Sequence, residues 1–250
     1  MKEARGDRRR LERPIRFVRQ RFSPEGYLGL HLTVGLVVML LGAWCFSEIA
    51  EGLAEATGMI AFDERVKDWF YNHSRGDFMA MAKVATWFGS VLFLTIASFG
   101  LTLLLAQRRA WDWLLALALT MLGGSLLNIV LKHFFQRQRP VLENPLVTLT
   151  SYGFPSGHTM GTTLFFGLLA LFALHSLRSK RVRVAALFAC MLIIATIGLT
   201  RISLGAHYLS DVLAAIAAGS AWLSFSWTTA ETFRRRREQA NREGETTAPG

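Results

Sequence analysis

Charge is missing from most of this chain. Asp, Glu, Lys and Arg make up 18% of 250 residues and crowd into a few short stretches, while 52% are hydrophobic and the mean hydropathy is +0.30. That balance excludes an ordinary soluble domain. Cysteine is nearly absent: Cys45 and Cys190 both fall inside apolar runs, so two buried free thiols are expected rather than a disulfide framework. The alternating segments of a membrane barrel are lacking, and runs such as LLALALTMLGGSLLNIVL are continuously apolar. There is no internal repeat and no sign of a second domain.

What is present is a series of segments near or above the roughly 20 apolar residues that a helix needs to cross a hydrocarbon core. Six candidate spans cover about 28–49, 81–106, 111–131, 159–177, 182–200 and 207–229. Backbone polar groups in lipid must be paired within the segment, so helices are the default. The expected fold is all-α: a polytopic membrane protein built as a six-transmembrane-helix bundle. Its domain organisation reads as a basic segment over 1–27, a membrane domain over 28–230 and a basic, disordered tail over 231–250. The first span is too long, and its basic flank too extended, for a cleaved signal peptide.

Short loops rich in Lys and Arg stay cytoplasmic. The arginines of 8–21, the pair Arg108 and Arg109, the cluster Arg178, Lys180, Arg181 and Arg183, and the run Arg234 to Arg237 all fall on one side of a six-span chain. Both termini are therefore expected in the cytoplasm. A net charge of +10 would also suit nucleic acid, but the clusters are juxtamembrane and already serve orientation and anionic lipids. No nucleic-acid partner is expected.

The opposite side receives Glu51 to Ala80 and three motif pieces: KHFFQRQRP (132–140), PSGH (155–158) and TRISLGAHYLSD (200–211). Lys132, Arg137 and Arg139 run against the positive-inside trend there, which points to an anionic ligand or to lipid headgroups. His207 and Asp211, four apart at a helix start, share a face, so the carboxylate can hold one imidazole nitrogen and leave the other free. Capping and pairing would explain the same spacing. Arg201 offers a fork that matches phosphate oxygens. In PSGH, Ser156 can cap a helix, Gly157 lets backbone approach a ligand, and the free N–H groups of that first turn form an anion site. His158 could protonate a leaving oxygen.

Taken in order, K-x6-R-P, PSGH and R-x5-H-x3-D resemble the type 2 phosphatidic acid phosphatase superfamily over roughly 124–219. Thr200 stands where that pattern has Ser. The resemblance implies a six-helix membrane phosphatase with His207 as nucleophile, Asp211 holding it, and His158 as general acid. Lys132, Arg139, Ser156, Gly157 and Arg201 would cradle the phosphate. It implies no cofactor and no metal, and the motif pieces supply no carboxylate cluster for a two-metal route. The implied partners are a lipid phosphate substrate and membrane lipids, at the outer face of an inner (plasma) membrane. Undecaprenyl diphosphate, phosphatidic acid and phosphatidylglycerol phosphate fit, and lipid A also fits. Phosphoryl transfer to another lipid shares the first half-reaction. A noncatalytic transporter would need broken helices or two related halves near the midplane, and the sequence shows neither.

Other residues are read more plainly. His133 is expected at the interface, as are His31 and His175 near cytoplasmic span ends. The stretch 62–78 (FDERVKDWFYNHSRGDF) is expected as a short amphipathic helix along the outer interface, with Trp69, Phe70 and Tyr71 at headgroup depth. Tyr152 and Phe154 are expected to contact substrate.

Overall fold

The structure is a computed structural model that describes residues 30–55, 58–74, 76–141 and 151–247. The expected N-terminal basic segment and the start of the first span lie outside these residues. The chain forms α1 (Leu30–Ala54), α2 (Gly58–His73), α3 (Asp77–Trp87), α4 (Val91–Gln107), α5 (Trp111–Ala118), a π-helical turn (Leu119–Gly123), α6 (Gly124–Phe135), α7 (Gly157–Ser176), α8 (Lys180–Ser203) and α9 (Leu209–Thr247). No strand occurs among the described residues. Among the described residues, five helical runs are long and apolar enough to cross a bilayer, and α3 with α4 would make a sixth. Large apolar side chains such as Val91, Phe134 and Leu122 face outward at 74–78% exposure, which is the surface of a multi-pass membrane protein rather than of a soluble one.

The second span departs from the expected continuous helix. Its two halves bend by 42° where i→i+3 bonds close α3 (Gly89 N to Thr86 O, 3.0 Å) and the Ser90 hydroxyl accepts from Phe93 N to open α4. The break falls at a close approach: a Cβ on Gly89 would lie 2.6 Å from Ile197 of α8 and 3.0 Å from the Thr162 hydroxyl of α7. The third span also contains an irregularity, the π turn, whose Leu119 carbonyl accepts from Trp222 Nε1 at 3.0 Å.

Packing against α9 organises the bundle. Gly35 and Gly42, two turns apart on α1, sit where a Cβ would meet Thr228 Oγ1 at 2.0 Å and the Ala217 carbonyl at 2.8 Å. Small residues let membrane helices approach this closely. Met160 and Leu164 of α7 pack with Ala215 and Ala218 of α9 as one core cluster. Leu105, Ala116, Leu117, Leu168 and Ala230 form another.

Two sequence expectations need correction. α9 continues to Thr247 through the segment expected as a disordered tail, supported by i,i+3 and i,i+4 pairs such as Arg234 with Glu231 and Glu238. Cys45 is free but exposed and Cys190 is free but only partly buried. A helix in lipid is apolar on both its lipid face and its packed face, so an apolar run does not say which face a cysteine takes.

The order of the helices brings the ends of α1, α6 and α8 and the starts of α4, α7 and α9 to one end of the bundle. The basic links at Arg108 and Arg178 to Arg183, and the Arg234 to Arg237 run, lie toward the other.

Candidate active site

The turn from α8 into α9 is built around Gly205, whose φ of +64° is left-handed backbone that a glycine adopts without strain. It lets Ala206 N and His207 N both reach back to the Arg201 carbonyl, at 3.0 and 3.2 Å, closing α8 and turning His207 inward to 2% exposure. Asp211 stands at the third position of α9. Its Oδ2 accepts from Tyr208 N at 2.9 Å, as the acid of a capping box does, and faces His207 Nδ1 at 3.3 Å. One carboxylate oxygen thus both caps the start of α9 and faces the imidazole.

With Nδ1 on the carboxylate, the assigned tautomer leaves His207 Nε2 unprotonated. Burial above all pushes this imidazole down to about 4, against the pull of Asp211, and Arg139 and Arg201 push it further. It is therefore neutral at neutral pH.

α6 ends at Gln136, which takes a left-handed conformation (φ +45°) while its N–H bonds the Lys132 carbonyl. Beyond it Arg137 and Arg139 part: Arg137 reaches Asp63 and Asp211 behind the groove, and Arg139 lines the groove itself. Arg139 is the best-connected cation of the site: Nε donates to Ser151 O at 2.7 Å, NH1 to Ala206 O at 2.8 Å, and NH2 to Ser151 Oγ at 3.0 Å. Its NH1 also lies 3.0 Å from His207 Nε2. Lys132, at the end of α6, donates to Tyr152 O at 2.6 Å.

Ser156 opens α7 as expected, its hydroxyl accepting from Thr159 N at 3.5 Å, and its own N–H bonds the Asp211 carbonyl at 3.0 Å. That bond ties the PSGH turn to α9. Arg201 is 2% exposed; NH1 donates to Thr86 Oγ1 at 2.9 Å, and Nε is buried with no protein acceptor. A buried cationic donor without an acceptor fits an anion.

Gly157, His158, Lys132, Arg139, Arg201 and His207 all line one groove of about 570 Å³. Away from the charges it continues between α4, the third span and α7 along apolar side chains such as Leu94, Leu122, Ile129 and Leu164. The structure thus brings together every sequence-expected site residue that lines this groove, with Asp211 and Ser156 directly behind it. Such a constellation can bind a tetrahedral oxyanion next to a neutral imidazole and accept an apolar chain alongside.

Several residues were misread or missed. Phe154, expected at substrate, is fully buried and packs on Phe135 and Phe46 at 4.9 and 5.6 Å between ring centres. Tyr152 is half-buried and edge-on to His133, which itself is exposed as expected. Arg137 does bind anions, but they are the chain's own: Asp211 and Asp63. Asp63, in the helix expected only as an interfacial anchor, is 1% exposed. The charge of Arg137 against the positive-inside trend signalled an anion, but not that the anions are internal carboxylates. Thr86 and Asp63 carry no local signal, since their partners lie 74 to 147 residues away.

Fold and site together define a class: a multi-pass helical membrane protein with a cation and histidine cradle at one end of its bundle. Residues 113–235 match the PAP2 superfamily. It is 36% identical to phosphatidylglycerophosphatase B of Bacillus subtilis over 114 residues, 45% of this chain and 55% of that one. Against the lipid A 1-phosphatase of Rhizobium johnstonii it is 44% identical over 82 residues, 33% of this chain and 28% of that one. The chain therefore spans about half or less of these curated relatives. In fold it resembles the transmembrane PAP2 type phosphatidylglycerolphosphate phosphatase from Bacillus subtilis, with a TM-score of 0.66 at 24% identity over 81% of this chain and 96% of that one. It also resembles Aquifex aeolicus LpxE, with a TM-score of 0.51 at 23% identity over 65% and 92% of the two chains.

Proposed function

We propose that the protein is an integral membrane lipid phosphatase that works without a metal through a phosphohistidine intermediate. One observation carries this reading: the cradle of Lys132, Arg139, Arg201, His158 and His207 stands at the head of an apolar groove. The charged end suits a phosphate, and the groove suits a hydrocarbon chain. The names of the relatives, a phosphatidylglycerophosphatase and a lipid A phosphatase, are consistent with that class.

In the proposed reaction His207 Nε2 attacks phosphorus. The P–N bond forms as the P–O bond to the lipid breaks, and His158 gives its proton to the departing oxygen. Asp211 holds Nδ1–H and stabilises the imidazolium that develops. Lys132, Arg139, Arg201 and the first N–H groups of α7 take up the charge on the phosphoryl oxygens, a form of stabilisation that commonly contributes several kcal/mol. Water then attacks the phosphohistidine, gives a proton to His158, and inorganic phosphate leaves. The substrate is a phosphomonoester or diphosphate of a lipid, with undecaprenyl diphosphate, phosphatidic acid and phosphatidylglycerol phosphate as the first to assay. The basic links at the far end of the bundle support a site on the outer, periplasmic or exterior, face of the plasma membrane.

The test is phosphate release by the purified protein in detergent with EDTA present, from those three lipids, for wild type and His207→Ala. Release that survives EDTA and drops at least about a thousandfold in the variant is expected. Equal release by His207→Ala would end the nucleophile assignment. Loss of lipid phosphate without free phosphate, with phosphate appearing on a second lipid, would make the protein a phosphotransferase.

A further inference from the structure

Behind His207 and Asp211 lies a second tier of charge that belongs to none of the motif pieces' assigned roles. Arg137 divides its guanidinium between two buried carboxylates. NH1 donates to Asp211 Oδ1 at 2.6 Å and to Ser210 Oγ at 2.7 Å, and NH2 donates to Asp63 Oδ2 at 2.8 Å. Asp63 and Asp211 are 1% and 0% exposed. Asp63 in turn accepts from the Ser210 N–H at 3.0 Å and from the Ser210 hydroxyl, so α2 caps a free donor of the first turn of α9 from outside. The Tyr208 ring lies against the guanidinium at 4.5 Å, and its hydroxyl donates to Glu64 at 2.7 Å. Neither Asp63 nor Arg137 lines the groove.

We infer that Asp63 and Arg137 are positioning residues for His207, acting through Asp211; the inference rests on the proposed role of His207. A lone arginine beside a buried carboxylate tends to engage both of its oxygens in a bidentate pair. Here Asp63 holds NH2, so Arg137 takes only Oδ1 of Asp211. Oδ2 is left to Tyr208 N and His207 Nδ1. The His207 to Asp211 distance of 3.3 Å is already at the long end of a hydrogen bond. A turn of Asp211 toward a freed Arg137 would break it, and the imidazole would lose both its tautomer and its orientation. α2, which the sequence presents as an interfacial helix, thereby becomes part of the catalytic support.

Asp63→Asn keeps the shape and one acceptor oxygen for the Ser210 N–H while removing the charge and the second acceptor that anchor Arg137; Arg137→Lys keeps a charge but cannot bridge two carboxylates. Both are assayed as full-length protein in detergent for kcat and KM on the best lipid substrate, with thermal unfolding measured alongside. We expect kcat to fall on the order of 10- to 100-fold with KM within about twofold of wild type. The double variant should be no slower than the slower single, because the two act as one unit. Wild-type kcat in Asp63→Asn, a change confined to KM, or losses that multiply in the double variant would each overturn the inference. If one single variant does not fold, the kcat and KM of the other decide the outcome. His207→Ala is the control: if it stays active the nucleophile assignment has failed, whereas an inactive His207→Ala beside a fully active Asp63→Asn refutes the positioning role alone.

Discussion

A single imidazole can be tested through its own titration. Burial holds His207 at about 4, below the roughly 6.5 of an unfolded histidine. The unfolded chain therefore takes up the proton first. The sign follows: the contribution of this group to stability is fully present above about pH 6.5 and is lost as pH falls toward about 4. In a detergent NMR titration, the imidazole resonance that disappears in His207→Gln should turn over near pH 4; a midpoint near 6.5 would contradict the buried, neutral side chain. Gly157 offers a steric test. A Cβ there would come within 3.2 Å of Asn128 Oδ1 and 3.8 Å of Lys132 Cε, at the mouth of the cradle. Gly157→Ala should fold with little change in thermal midpoint yet release phosphate about tenfold or more slowly. Residues of this kind were legible in the sequence because their chemistry lies in short motifs of fixed spacing. Asp63 was not, because its burial depends on a contact between α2 and α9 that no local pattern encodes. Phe154 was misread for a related reason: adjacency in sequence to PSGH placed it near the site, while packing turned its ring into the core.

Among the helices, the spans were legible from apolar length alone, and the breaks within them were not. Hydropathy does not register Gly89 pressing against α7 and α8, nor the π turn beside Trp222, since both replace one apolar stretch with another. Nor could it find the α1–α9 seam, where Gly35 and Gly42 are read only as tolerated glycines. At that seam Gly42→Ala would place a methyl 2.8 Å from the Ala217 carbonyl, a backbone atom with little room to yield. Overpacking of this kind costs about 1–3 kcal/mol. Thermal unfolding in detergent should show a lower midpoint for Gly42→Ala, while kcat of the remaining folded enzyme stays near wild type because the seam lies away from the groove. An unchanged midpoint would mean that α1 is not seated against α9 as described.

For the molecule as a whole, orientation is the property with most consequence. The site end and the basic end are opposite poles of the bundle, and the orientation proposed from the positive-inside trend puts the basic pole in the cytoplasm. With Cys45 and Cys190 replaced by serine, Asn72→Cys on exposed α2 should react with a membrane-impermeant maleimide in intact cells. Arg181→Cys should react only after permeabilisation. The reverse pattern would place the site in the cytoplasm.

The contact between Arg139 and His207 Nε2, at 3.0 Å, gives the cradle an order of events. The nitrogen proposed to attack phosphorus lies against a guanidinium, so in the proposed reaction an anion in the groove would compete with the imidazole for that guanidinium. An anionic headgroup would then free the proposed nucleophile by the act of docking. A neutral electrophile of the same size would bring nothing to trade for the arginine.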